Sequence, residues 1–176
     1  MIPQWLFQSR LWQDRQPLGW SLVKHYETVS SASVDSLWRK VVNLADVSWH
    51  PLITSTNVPY GLVPKPGLIY QAVSRMVPLP FRVFVEHVKP GELVSFRICA
   101  LPGVEERVTY RLESRICGTS VSYSVMMRGW LSPLVWSMIK GHAAKVAQRL
   151  AEAAEQEGLQ GVPGCLPPRK KTCLDF

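Results

Sequence analysis

Residues 104–114 alternate, with Glu106 the one break before the closing Ser114. Val104, Val108, Tyr110 and Leu112 fall on one parity, and Glu105, Arg107, Thr109, Arg111 and Glu113 on the other. A period of two marks a β-strand with one dry and one wet face, and the dry parity has to be covered by another element. The same pattern recurs on both sides. Residues 68–77 read as a strand turned by Pro78-Leu79-Pro80, and residues 81–88 set Phe81, Val83 and Val85 against Arg82, Phe84 and Glu86. Lys89-Pro90-Gly91-Glu92 carries proline and glycine in its two central positions, a tight-turn signal. Residues 93–100 place Val94, Phe96 and Ile98 on one face, and Pro102-Gly103 turns the chain again. After Cys117-Gly118-Thr119, the residues Val121, Tyr123, Val125 and Met127 form the last inner row.

The flanks supply the cover. Residues 21–30 read as a first strand. Ser33 can cap a helix whose apolar positions are Val34, Leu37, Trp38 and Val41, with Asp35 in its first turn. A second short helix is expected within residues 44–49, before Pro51. The breakers Pro59, Gly61, Pro64, Pro66 and Gly67 mark residues 54–67 as a loop. Residues 130–157 read as one long helix, with Ser132-Pro133 at its start and Gly158 just past its end. Its stripe is Leu131, Val135, Met138, Ile139, Val146 and Leu150, interspersed with alanines. The fold class is therefore α+β: a strongly curved antiparallel sheet of six to seven strands wrapped around a long C-terminal helix, with two short helices after strand 1. A half-wet sheet has to cover its other face, and a twisted sheet closed by one helix leaves a wedge of space between them. The domain spans residues 21–157. An aromatic-rich arm (1–20) and a Pro-rich basic tail (158–176) flank it.

With 47% hydrophobic and 19% charged residues the chain is globular in composition. Its longest conspicuous uncharged apolar stretch, residues 129–139, is far short of the roughly 20 residues a bilayer span needs. The N-terminus lacks a basic leader before an apolar block, so a cytoplasmic location is expected. None of Cys99, Cys117, Cys165 and Cys173 forms a CxxC pair, which argues for free thiols and against zinc. The net charge of +7 favours weak contact with anionic membrane surfaces. The basic residues are scattered without the clustering of a nucleic-acid surface, so no specific nucleic-acid partner is expected. No phosphate-binding glycine loop is present, and no cofactor is expected.

Several segments taken in order resemble a known superfamily. They are Val29-Ser30-Ser31-Ala32-Ser33 leading into Val34-Asp35-Ser36-Leu37-Trp38, then Trp49-His50-Pro51-Leu52-Ile53, and Lys65-Pro66-Gly67 before a strand. The hairpin Val88-Lys89-Pro90-Gly91-Glu92-Leu93, the Gly118-Thr119 turn and the terminal helix complete the set. Residues 21–157 resemble the START-related or SRPBCC helix-grip superfamily, most of all its polyketide cyclase/dehydrase and lipid-transport branch. The resemblance implies a cavity for a hydrophobic small molecule (lipid, isoprenoid or polyketide-like) and carries over no catalytic set.

If the dry parity of each strand faces the helix, Val83, Val85, Phe96, Val108, Tyr110, Tyr123 and Met127 line that cavity, with Trp130 and Met138 contributed by the helix. A few polar groups come with them. Glu106 is the exception in its alternating row, His87 ends the row of Phe81, Val83 and Val85, and His142 falls between Met138/Ile139 and Val146. An apolar pocket with a few converging polar groups is the usual form of a small-molecule site. Three readings follow: a carrier or binding protein, a cyclase or dehydratase with Glu106 or His142 as general base and a tyrosine polarising a carbonyl, and a peripheral membrane or complex-bound module using the aromatic arm. His50, beside Pro51, is a candidate for the cavity mouth.

Overall fold

The computed structural model describes residues 21–160. Seven antiparallel strands form one sheet in the order β1-β7-β6-β5-β4-β3-β2. In chain order they are β1 (Ser21–Ser30), β2 (Ile53–Thr56), β3 (Ile69–Ser74), β4 (Pro80–Lys89), β5 (Leu93–Leu101), β6 (Val104–Arg115) and β7 (Gly118–Arg128). Helix α1 (Val34–Val42) follows β1, and α2 (Ser132–Ala143) and α3 (Val146–Gln160) close the chain. The arm and all but the first three residues of the expected tail lie outside the described residues, and with them the aromatic cluster of residues 1–20.

The alternation read from β5, β6 and β7 sets the inner face. Val94 pairs with Tyr110 and Tyr110 with Tyr123, while Phe96 pairs with Val108 and Val108 with Val125. All are buried, as are Val83, Val85, Val104, Leu112, Val121 and Met127. The outer face carries the charges, including Glu86 bound to Arg107 at 2.6 Å and near Arg97 at 3.6 Å.

Four details differ from the sequence reading. The terminal helix is bent: Lys145 N–H bonds to the His142 carbonyl at 3.0 Å, an i→i−3 bond that tightens the turn between α2 and α3. Helix α3 then runs through Gly158 to Gln160. The second short helix does not form. Two turns replace it, closed by Asp46 N–H to the Asn43 carbonyl and His50 N–H to the Val47 carbonyl. The loop expected at residues 54–67 is shortened by the edge strand β2, which pairs with β3.

The C-terminal half of α3 is tied down. Ser30 Oγ and Ser31 N–H both donate to Glu155, at 3.0 and 2.8 Å. Lys40 of α1 is buried between Asp46 and Glu157. Burial opposes the Lys40 charge, but hydrogen bonds to the two carboxylates outweigh it and hold the ammonium above its ordinary pKa. Gly129 makes the sharp exit from β7 with φ +124°, and a Cβ there would collide with the Gly103 carbonyl.

Candidate functional site

Between the sheet and α2 lies an apolar cavity of about 220 Å³. Its floor is the inner face of the sheet: Tyr70 and Phe81 with Val83, Phe96 and Ile98, then Glu106, Val108, Tyr110 and Tyr123. Val135, Met138 and Ile139 of α2 form the roof, and the end of α1 with the segment after it, from Val41 to Ile53, forms one wall. Five lining residues are also exposed: Val77 and Leu79 at the β3–β4 turn, Ala100 and Leu101 at the end of β5, and Met138. They mark the mouth.

The wall is built from its own sequence. Asp46 accepts from the Ser48 amide at 3.2 Å and the Ser48 hydroxyl at 2.7 Å, a local turn that aspartate favours. Its other oxygen takes Lys40 Nζ at 2.8 Å, which fastens the turn to α1. The hydrogen bond from Lys40, then that from Ser48, holds the Asp46 carboxyl below its ordinary pKa. This anchored turn delivers Trp49 and His50 to the cavity edge. The His50 ring is buried, and its Nε2 lies 2.9 Å from the Tyr110 hydroxyl. Leu52 N–H donates to His50 Nδ1 at 3.2 Å. Burial, with Arg75 adding to it, lowers the His50 pKa to about 3, so the imidazole is neutral.

Around this pair the aromatic rings pack in tilted and edge-on contacts. Tyr110 meets Phe96 at 6.1 Å, Trp49 at 6.2 Å and Tyr123 at 5.1 Å between ring centroids. Burial raises the pKa of Tyr70, Tyr110 and Tyr123, keeping all three phenols protonated. Glu106 faces the same apolar space and has no hydrogen-bond or ion-pair partner among the described residues. Desolvation raises its pKa to about 7. No lysine or arginine lines the cavity. Among the described residues no group of three or more His, Cys, Asp or Glu side chains could hold a metal ion.

Of the sequence candidates, Val83, Phe96, Glu106, Val108, Tyr110, Tyr123 and Met138 come together around this space. Five do not line it. Val85 and Met127 are sealed in the solid core. His87 is exposed because β4 carries a bulge: Val85 pairs with Phe96 but His87 with Ser95, and Val88 takes the next inward position opposite Val94. His142 is exposed because the inward stripe passes through Val135, Ile139 and Ala143, with Ala143 in the place given to the histidine. Trp130, 73% exposed, lies over Gly103 at the β5–β6 turn, outside the cavity. Sequence reasoning placed His50 at the mouth at best, and missed Tyr70 and Trp49. The adjacent pair Trp49-His50 before Pro51 was the available signal.

Seven curved strands gripping a bent terminal helix over an internal apolar cavity define a helix-grip protein, and comparison with solved structures shows the same fold. Ara h 8.0201 superposes with a TM-score of 0.62 at 13% identity, covering 78% of this chain and 99% of that one. A point mutant of norcoclaurine synthase from Thalictrum flavum, in complex with a transition-state analogue, gives 0.59 at 15% identity over 81% and 99% of the two chains. DynU16, a protein of the dynemicin biosynthetic locus, gives 0.57 at 19% identity over 77% of this chain and 48% of that one. The helix-grip fold expected from the sequence is thus the one shared with these solved structures. No protein-family model and no curated protein matches the sequence. No described helix is long and apolar enough to cross a membrane.

Proposed function

We propose that the protein binds a hydrophobic small molecule between the sheet and α2, as a carrier or binding protein. The observation that carries this reading is an apolar space roofed by Val135, Met138 and Ile139 and left unfilled by side chains. Its size limits the occupant. A cavity of roughly 150 Å³ accommodates benzene, and drug-sized ligands occupy about 300–1,000 Å³. At about 220 Å³ the space encloses a moiety of roughly bicyclic size, and any longer chain emerges past Leu79 and Met138. An isoprenoid or polyketide-like ring system fits these limits better than a whole lipid.

Glu106 supports a second reading, in which the protein is a cyclase or dehydratase acting on such a ligand. An unpaired carboxyl with a pKa of about 7 that faces the cavity has the properties of a general base there, whereas His142 lies outside the lining. Among the solved neighbours, norcoclaurine synthase is an enzyme by name, but a likeness at 15% identity carries the fold and not the chemistry.

Native mass spectrometry of gently purified protein tests the binding reading. A co-purified mass, or saturable uptake of a bicyclic probe, is expected; ligand-free protein that takes up no apolar probe overturns it. The catalytic reading requires turnover of the captured molecule that Glu106→Gln abolishes while binding persists.

A further inference from the structure

The direction of the hydrogen bonds at the back of the cavity can be worked out from their partners. Leu52 N–H points at His50 Nδ1, so this nitrogen is an acceptor and carries no proton. A neutral imidazole has one N–H, which therefore sits on Nε2. At 2.9 Å from Nε2 the Tyr110 oxygen is then the acceptor. The reverse arrangement would put hydrogens on both Nδ1 and Leu52 N, only 3.2 Å apart. Tyr110 thus accepts from His50 while its own proton stays uncommitted, and its hydroxyl has no acceptor among the described residues. The ring is buried at 4% exposure and lines the cavity. A buried hydroxyl proton without a partner is costly, so the occupant that best completes this site supplies an acceptor.

The remaining lining narrows the acceptor. With no lysine or arginine facing the cavity, a buried carboxylate or phosphate head would have no counter-charge, and Glu106 would repel it. We infer that Tyr110 is a specificity-determining donor, held in one direction by the Leu52–His50 pair, and that the occupant is a neutral apolar molecule presenting a carbonyl oxygen to it. This rests on the binding reading and adds the polar group the ligand must carry.

Three naphthalene probes on the full chain at pH 8 test it: 2-acetylnaphthalene, 2-isopropenylnaphthalene with CH₂ in place of the carbonyl oxygen, and 2-naphthoate. The ketone is expected to bind about tenfold tighter than the alkene, the ratio one buried hydrogen bond supplies, and the naphthoate most weakly. In Tyr110→Phe the roughly tenfold preference for the ketone over the alkene is lost. In wild type, the infrared stretch of ¹³C-carbonyl-labelled ketone shifts below its position in hexane, a readout that needs no variant to fold. Equal binding of ketone and alkene, or naphthoate binding tightest, overturns the inference and leaves the cavity reading standing. Failure of all three probes to bind overturns the cavity reading and the inference with it.

Discussion

Helix α3 lies against β1 and β7 with Val146, Ala147, Leu150 and Ala154 no more than 2% exposed, whereas α2, on the same side of the same sheet, buries only Ser132 and Ala143. Beneath α3 the strands present Val121 and Leu112, both fully enclosed, and α1 adds Leu37 and Val41. Beneath α2 they present Val83, Phe96, Val108 and Tyr110 to an empty space. The side chains account for the difference. Alanines at 147, 151 and 154 let the α3 backbone approach the sheet closely, while Val135, Trp136, Met138 and Ile139 hold α2 away. The tight turn at Lys145 allows the two segments to take different heights. One end of the grip is a protein core and the other a container.

If that contrast holds, substitutions at the two ends diverge. Leu150→Ala leaves a cavity in close-packed surroundings and is expected to cost about 3–5 kcal/mol in urea unfolding. Ile139→Ala, beside space that already exists, should cost about 1 kcal/mol and enlarge the cavity. Equal costs would mean that the two ends are packed alike.

Glu106 gives the next largest effect. Its pKa is about 7 in the folded protein against an ordinary 4.5, so between those values the native state holds a proton that the unfolded chain has lost. Stability is therefore full below pH 4.5, declines as pH rises through 7, and stays lower above it. Glu106→Gln removes this loss and should be more stable than wild type by about 3 kcal/mol at pH 8, with little difference at pH 4. A flat wild-type profile between pH 4 and 8 would place Glu106 in water.

Adding volume sharpens the comparison further. Ala154→Leu overpacks the α3 end and should destabilise by about 1–3 kcal/mol without touching probe affinity. Val83→Phe points into the cavity, where it should change stability by less than about 1 kcal/mol and abolish uptake of 2-acetylnaphthalene. Calorimetric unfolding together with probe titration checks both.

How much of this was legible in the chain depends on which interaction fixes each element. In β5, β6 and β7 a period of two placed Val94, Phe96, Val108, Tyr110, Leu112, Val121, Tyr123, Val125 and Met127 on the inner face. It missed Ala100 and Leu101, which line the cavity beyond the register shift that follows Ile98. In β4 the same extrapolation failed at one point, because a single-residue bulge exchanges His87 for Val88. The spelling Val85-Glu86-His87-Val88, two polar residues between two valines, is the trace it leaves. The bend in the terminal helix has no such trace, since no proline interrupts the alanine-rich stretch and the turn at Lys145 is set by how each half packs. Within the site, Tyr110, Tyr123 and Glu106 followed from strand parity, whereas His50 sits on a turn whose geometry comes from Asp46, Ser48 and Lys40 acting together.

Methyl NMR of the protein titrated with 2-acetylnaphthalene tests the central division directly. Shifts and ligand contacts are expected at the methyls of Val83, Val108, Val135, Met138 and Ile139, with those of Val121, Val146 and Leu150 unmoved. Perturbations spread evenly over both groups, or confined to the α3 end, would contradict a container built under α2 alone.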